Sequence, residues 1–350
     1  MIGRHAAIRE HFLHQARACD DLGSPFTARL CGALSATLDT STAAGRRALD
    51  WPGDPRADAL ALRLCGGLHA LVLSEADAAL MAVYPPAQTD EPTLARSLPG
   101  ALDRNDARLL ASLDSAPQTN EIGRSGMLLP GFLAIARETR LPLALHEIGA
   151  SAGLNMLFDR FSYRYGDRVW GDAASPVQLQ PDIRDACPPL DGHIEILSRR
   201  GCDIAPVDVT DAAARLRLRS YVWADQTARL ARLEAAMNLE AETPVSVERS
   251  DAAGFVRRAL KTRQPGSVFA LFHSIMWQYM PEASRAAIET ELSKAGAGAD
   301  ARSPIAWLRM EPLDTKDPHA TLSLTLWPDG HTRRLAACDY HGRWIAWWGE

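Results

Sequence analysis

Apolar residues recur at helical spacing through the first third of the chain. Ile8, Phe12, Leu13 and Ala16 share one face of a helix, and Leu60, Leu62, Leu64, Leu68 and Leu71 repeat the pattern with some slack. Gly23-Ser24-Pro25, Trp51-Pro52-Gly53-Asp54-Pro55 and Tyr84-Pro85-Pro86 interrupt these runs. The pattern predicts a helical N-terminal domain over residues 1–118. From residue 141 short apolar, β-rich segments alternate with amphipathic ones. Strands are expected at 141–148, 194–197, 245–248, 268–272 and 305–310, and helices at 152–160, 211–222, 226–239, 251–262 and 282–295. That alternation argues for βαβ units and a mostly parallel sheet. The tail changes again: 321–327 and 333–337 flank Pro328-Asp329-Gly330, a strand–turn–strand signal, and 344–348 adds an extended piece. The fold class is therefore expected to be α/β, with an α/β domain over 119–350 behind the helical one and an insertion at about 161–192.

Composition narrows the function classes. The 350 residues suffice for two domains on a prior of roughly 100–200 residues each. A formal charge of −5 gives no electrostatic footprint for nucleic acid or an anionic membrane. No apolar run approaches the ~20 residues of a membrane span, and the N-terminus lacks the apolar stretch of a secretory signal. The six cysteines are scattered with no C-x-x-C pair, so no metal site is expected and the reading is a cytoplasmic protein with reduced thiols. Eight of the nine tryptophans follow residue 150, which places the aromatic core and a small-molecule pocket in the second domain.

The most informative segment runs Leu143-Ala144-Leu145-His146-Glu147-Ile148-Gly149-Ala150-Ser151-Ala152-Gly153-Leu154-Asn155. An apolar strand ends in an acidic residue, a small-residue turn follows, and a helix start presents free N–H groups to a ligand. The E-x-G-x-x-x-G spacing resembles the first motif of class I S-adenosylmethionine-dependent methyltransferases, in which the glycines pass beneath the methionine part of the cofactor. A Rossmann-like parallel sheet with a C-terminal antiparallel hairpin is also the layout of that fold. Ser151 stands where a dinucleotide fingerprint needs its second glycine, which disfavours a nicotinamide enzyme. The same residues spell G-x-S-x-G, the nucleophile elbow of a serine hydrolase, with Asp251 or Asp339 and His273 or His341 as triad partners. A third reading is a turn kept small for close strand–helix contact.

Further positions follow from the cofactor reading. Asp203 would take ribose hydroxyls or, equally, cap a helix or turn; it lies 50 residues after Gly153, and discounting 161–192 brings it close to the roughly 20 expected. Asp251 would meet the adenine amine or cap the next helix. Gln118-Thr119-Asn120-Glu121-Ile122-Gly123-Arg124-Ser125 groups an amide, a carboxylate and a guanidinium, and Arg124 could hold the cofactor carboxylate; an N-cap followed by a surface ion pair is the alternative. After the fourth strand, Phe272-His273-Ser274-Ile275-Met276-Trp277-Gln278-Tyr279 is a polar–aromatic cluster: His273 as general base, Trp277 and Tyr279 to stack, Gln278 to orient the substrate. The alternative is an aromatic core cluster with one satisfied histidine.

Thr119-Asn120-Glu121…Arg124, Glu147 to Asn155, Trp170-Gly171-Asp172, Arg200-Gly201-Cys202-Asp203, His273-Ser274…Trp277-Gln278-Tyr279 and Trp307-Leu308-Arg309-Met310-Glu311-Pro312 together resemble a bacterial family catalogued as domain of unknown function 2332. No Asn-Pro-Pro-Tyr tetrapeptide follows the fourth strand. The expectation is methyl transfer from S-adenosylmethionine to a small molecule, with Glu147, Gly149, Ser151, Gly153, Asn155, Asp203, Asp251 and Arg124 at the cofactor and His273, Trp277, Gln278 and Tyr279 at the acceptor. A serine hydrolase, or a non-catalytic module binding a nucleotide-like ligand, is the alternative.

Overall fold

The computed structural model describes residues 2–314 and 316–349, so Met1, Thr315 and Glu350 of the expected domains lie outside it. Seven helices fill its first part: α1 (Ile2–Asp21), α2 (Pro25–Thr37), α3 (Ala43–Leu49), α4 (Leu60–Leu73), α5 (Ala78–Met81), α6 (Glu91–Arg104) and α7 (Asp106–Leu113). Their starts are capped as the sequence allows: Asp77 accepts from the Leu80 N–H, Asp90 from Thr93 and Thr42 from Gly45. Phe12, Leu30, Leu34, Leu64, Leu68 and Leu98 form the core of this unit.

The second part alternates as expected. The order is α8 (Ser125–Thr139), β1 (Leu143–Ile148), β2 (Ser162–Tyr165), β3 (Arg168–Gly171), β4 (Gln178–Leu179), β5 (Asp182–Asp185), β6 (Ile196–Asp203), α9 (Ala212–Ser220), α10 (Thr227–Glu242), β7 (Ser246–Arg249), α11 (Ala252–Lys261), β8 (Val268–Ser274), α12 (Glu282–Gly296), β9 (Ile305–Glu311), β10 (Ala320–Trp327), β11 (His331–Cys338) and β12 (Trp344–Trp347). A nine-stranded, mostly parallel sheet runs in the order β5-β12-β11-β10-β9-β8-β1-β6-β7. β7, β6, β1, β8 and β9 are parallel; β10, β11 and β12 continue as an antiparallel meander, one strand more than a hairpin. α8 covers one face, with Phe132 stacked on Phe158 and edge-on to Phe272. α11 and α12 cover the other through Phe255, Val256, Ile288 and Leu292. With both faces covered, β8 (Val-Phe-Ala-Leu-Phe-His-Ser) is buried at every position, as a central parallel strand requires.

Four features depart from the sequence expectation. The strand expected at 194–197 lies further along the chain, as β6 at Ile196–Asp203. The segment after the small-residue turn is a 3₁₀ helix (Leu154–Arg160) and not an α-helix. The insertion holds a hairpin, β2–β3, with β4 beside β2, and departs in also supplying β5, which joins the large sheet beside β12. The compact helical unit comprises Met1–Thr119 together with Thr210–Ala231, while Asn120–Val209 and Arg232–Glu350 form the α/β unit. The helical pattern at 211–222 gave no sign of which unit it joins. Among the described residues no helix is long and apolar enough to cross a membrane.

Candidate functional site

From β1 the chain proceeds outward to β6 and β7, then returns to β8 and β9 on the other side. The strand order thus reverses between β1 and β8, and open α/β sheets bind ligands at the carboxyl ends of the strands at such a point. Glu147 and Gly149 occupy that end of β1, Asp203 that of β6, Asp251 follows β7, His273 and Ser274 close β8, and Glu311 closes β9. The alternation of a strand sends Glu147 toward the α8 face and His146 toward the α11 face.

Glu147 is almost wholly buried, and its Oε2 has no hydrogen-bond partner. Burial, and secondarily the charge of Asp203, push its carboxyl well above the usual carboxylate range; Arg124 opposes them. The Arg124 guanidinium donates to the carbonyls of Tyr340 (3.0 Å) and Ser274 (3.3 Å), which sets it at the β8 end beside Glu147.

The turn itself is strongly constrained. Gly149, Ser151 and Gly153 all have left-handed backbones, with φ of +66°, +55° and +75°. Its amides are consumed internally. Ala150 N donates to the Cys202 carbonyl (3.0 Å), Ser151 N to Asp203 Oδ2 (2.8 Å), and Ala152 N and Leu154 N both to Asn120 Oδ1 (3.2 and 3.1 Å). The N–H groups expected to greet a ligand are therefore taken by Asn120 and Asp203, and a short 3₁₀ segment follows.

The two glycines differ. Gly149 is exposed, and a Cβ there would meet only the flexible Met276 side chain, at 2.9 Å. Gly153 is buried, and a Cβ would lie 2.7–2.8 Å from Val245, Met156 and Val247. Gly149 thus lies at the open side of the turn under Met276, whereas Gly153 permits close contact with β7. Asn155 is buried and accepts from Ser125 Oγ (2.7 Å), beneath the turn.

Asp203 Oδ1 also accepts from Ala205 N (2.8 Å), so both its oxygens hold backbone, each with a further lone pair. Asp251 is exposed and caps α11 through Gly254 N (2.7 Å). Ser151 Oγ is buried with no partner, so no histidine lies within hydrogen-bonding reach of it. Asp339 is committed to Arg343 (2.7 and 3.0 Å).

The β8 cluster is organised by a residue that sequence reasoning missed. Glu311 Oε1 accepts from His273 Nδ1 (2.7 Å) and from the amides of Met276 (3.0 Å) and Trp277 (3.3 Å). The Trp307 indole, which can only donate, reaches His273 Nε2 at 3.1 Å. Nε2 must then carry the lone pair and Nδ1 the hydrogen. His273 has no exposed surface and no free nitrogen, so the expected general base instead supports the loop, with Trp277 stacked on its ring 5.0 Å away. Trp277 and Gln278 are half-buried and Tyr279 is 77% exposed. Trp170, in β3, lies edge-on to Tyr163. The structure thus gathers Glu147, Gly149, Ser151, Asp203 and Arg124, and the β8 loop reaches them through Met276.

No curated protein and no solved structure matches the chain. Residues 9–347 match the family described as uncharacterized proteins conserved in bacteria, DUF2332, and on that match over nearly its whole length the chain belongs to that bacterial family.

Proposed function

We propose that the carboxyl ends of β1 and β6 hold S-adenosylmethionine and that the chain directs its methyl group to a small-molecule acceptor. The observation that carries this reading is Glu147, a buried carboxyl with one unpartnered oxygen at the point where the strand order reverses. Buried polar groups without partners are costly and rare, and this one sits beside an exposed glycine and a guanidinium. The residues fit the amino-acid end of the cofactor: an ammonium satisfies Glu147, and a carboxylate is within the field of Arg124. The free lone pairs of Asp203 suit ribose hydroxyls. The cofactor supplies an electrophilic methyl group on a sulfonium. The chain's task is then orientation, which by itself accounts for a large part of such rate enhancements. Trp277 and Tyr279 offer faces for the acceptor, and Glu311 and His273 hold that loop in place. Met276, resting on Gly149, is the side chain that yields as the cofactor enters.

Calorimetric titration with S-adenosylmethionine and S-adenosylhomocysteine tests this. Saturable binding is expected, weakened at least tenfold in Glu147→Gln. Because burial raises the Glu147 carboxyl well above the usual carboxylate range, and a cation beside it would lower it again, binding should release protons, seen as heats that vary with the buffer's ionisation enthalpy. A folded wild type that binds neither compound refutes the proposal. The engaged nitrogens of His273 favour one second reading, a binding module without transfer. Cofactor binding with no methyl passed to any acceptor in a metabolite extract would select it.

A further inference from the structure

A second polar site lies on the opposite face of the sheet, and it is independent of the methyl-transfer reading. A cavity of about 400 Å³ opens between the end of α11 and strands β1, β6 and β8. His146, Ser198, Arg200, Thr262, Arg263 and Phe269 are among the residues lining it, and none of its lining residues is a carboxylate. Nε and Nη1 of Arg263 are sealed from solvent without a hydrogen bond. Arg200, exposed on β6, has no ion-pair partner among the described residues, yet its charge is felt at His146. A guanidinium half-sealed and unpaired is a poor resting state, because burying a charge without a partner is strongly unfavourable.

The remaining groups define what would pair with it. His146 stacks on Phe269 at 4.2 Å and donates from Nδ1 to the Ala144 carbonyl (3.0 Å), which leaves Nε2 as an acceptor for a ligand hydroxyl. Phe269, Leu197 and Ala259 supply apolar wall. The carboxyl end of α11 opposes an anion with about half a charge, but Lys261 in its last turn offsets that. Two planar guanidinium forks match an oxyanion carrying two charges and several acceptor atoms better than a single carboxylate. The volume also exceeds what a bare anion fills and falls in the usual range of about 300–1,000 Å³ for small-ligand sites.

We propose that this cavity binds a small phosphomonoester, its phosphate between Arg200 and Arg263 and its carbon body against Phe269 and Leu197. The test is calorimetry on the full chain with phenyl phosphate, inorganic phosphate and benzoate, at ionic strength held constant with chloride. Phenyl phosphate should bind saturably, at least tenfold more tightly than benzoate and more tightly than inorganic phosphate. Arg263→Met, which keeps the aliphatic stem, and Arg200→Ala, a change at an exposed side chain, should each weaken it about tenfold or more. Without ligand, Arg263→Met should melt no lower than wild type. Benzoate equal to phenyl phosphate overturns the phosphate assignment, and inorganic phosphate equal to phenyl phosphate overturns the ester. No binding, or unchanged affinity in Arg263→Met, overturns the site.

Discussion

Replacing Glu311 by alanine is the most direct way to ask whether one carboxyl group holds the β8 loop. Its Oε1 serves three donors: the His273 ring at 2.7 Å and the amides of Met276 and Trp277 at 3.0 and 3.3 Å. His273 is fully buried, so its N–H would have no other acceptor. Each donor left unsatisfied costs about 1–3 kcal/mol; the long Trp277 contact belongs at the low end, and the unpartnered Oε2 of Glu311 is relieved on truncation. The net loss is about 3–5 kcal/mol, on the order of 10 °C in Tm for a unit of this size. Glu311→Gln keeps an acceptor at the same position and should lose only about 1 kcal/mol. Urea unfolding measures both, and amide hydrogen exchange at Met276 and Trp277 localises the effect: protection is lost in the alanine variant and retained in the glutamine one. Equal stability of the two variants, or an alanine variant within about 0.5 kcal/mol of wild type, would refute the clamp.

Three further outcomes follow. Burial, with a smaller effect from Arg200, lowers the His146 pKa from 6.5 to about 4. Stability from the uncharged ring is therefore complete above pH 6.5 and lost as pH falls toward 4, by about 3 kcal/mol at ~1.4 kcal/mol per pH unit; His146→Asn should abolish that part of the acid sensitivity in unfolding at pH 7 and pH 4.5, and an unchanged profile would count against it. Glu147 has the opposite sign: its raised folded value favours the fold below the unfolded carboxyl value near 4.5, and this is lost as pH rises through the folded value. The Tm of Glu147→Gln relative to wild type should thus rise between pH 4 and pH 8, and a falling difference would disprove the assignment. Gly153→Ala should destabilise by about 2–4 kcal/mol, from a left-handed backbone and overfilled surroundings, whereas Gly149→Ala should cost about 1–2 kcal/mol because only Met276 must shift; thermal melts that rank them the other way would contradict the distinction between the two glycines.

β8 was legible because a strand covered on both faces is a continuous apolar run, whereas β6 was expected at 194–197 and runs Ile196–Asp203, because Ser198-Arg199-Arg200 ends the apolar run early. β5 was not legible: Asp182-Ile183-Arg184-Asp185 has no apolar alternation, and only its pairing with β12 makes it a strand. The 3₁₀ segment escaped notice because Leu154 to Phe158 are all buried, so no helical stripe distinguishes α from 3₁₀, and Asn120 claims the amides that would open an α-helix. Within the site, the strand-end positions of Glu147, Asp203 and Asp251 were readable from spacing. The commitments of the turn amides and of His273 were not, since Asn120 reaches Ala152 and Leu154 across 32 and 34 residues of chain, and Trp307 and Glu311 reach His273 across 34 and 38. Polar partners at that separation leave no local periodicity.

The interleaving of the two units bears on how the chain is made. α9 and its flanks complete the helical unit: the Ser220 carbonyl meets His69, Tyr221 lies against Gly66, and Asp225 receives the Phe26 amide at 2.8 Å. A nascent chain released to residue 119 lacks these partners. At ~5–20 residues per second, roughly 10 s of synthesis pass before residue 231 follows. During that interval the helical segment waits with an uncovered flank while β1 and β6 are already emerging. The order of translation thus leaves the first unit to be started incomplete until its own late segment, made after Asn120–Val209 of the second, has followed, and a fragment cut at residue 119 reproduces that exposed intermediate permanently.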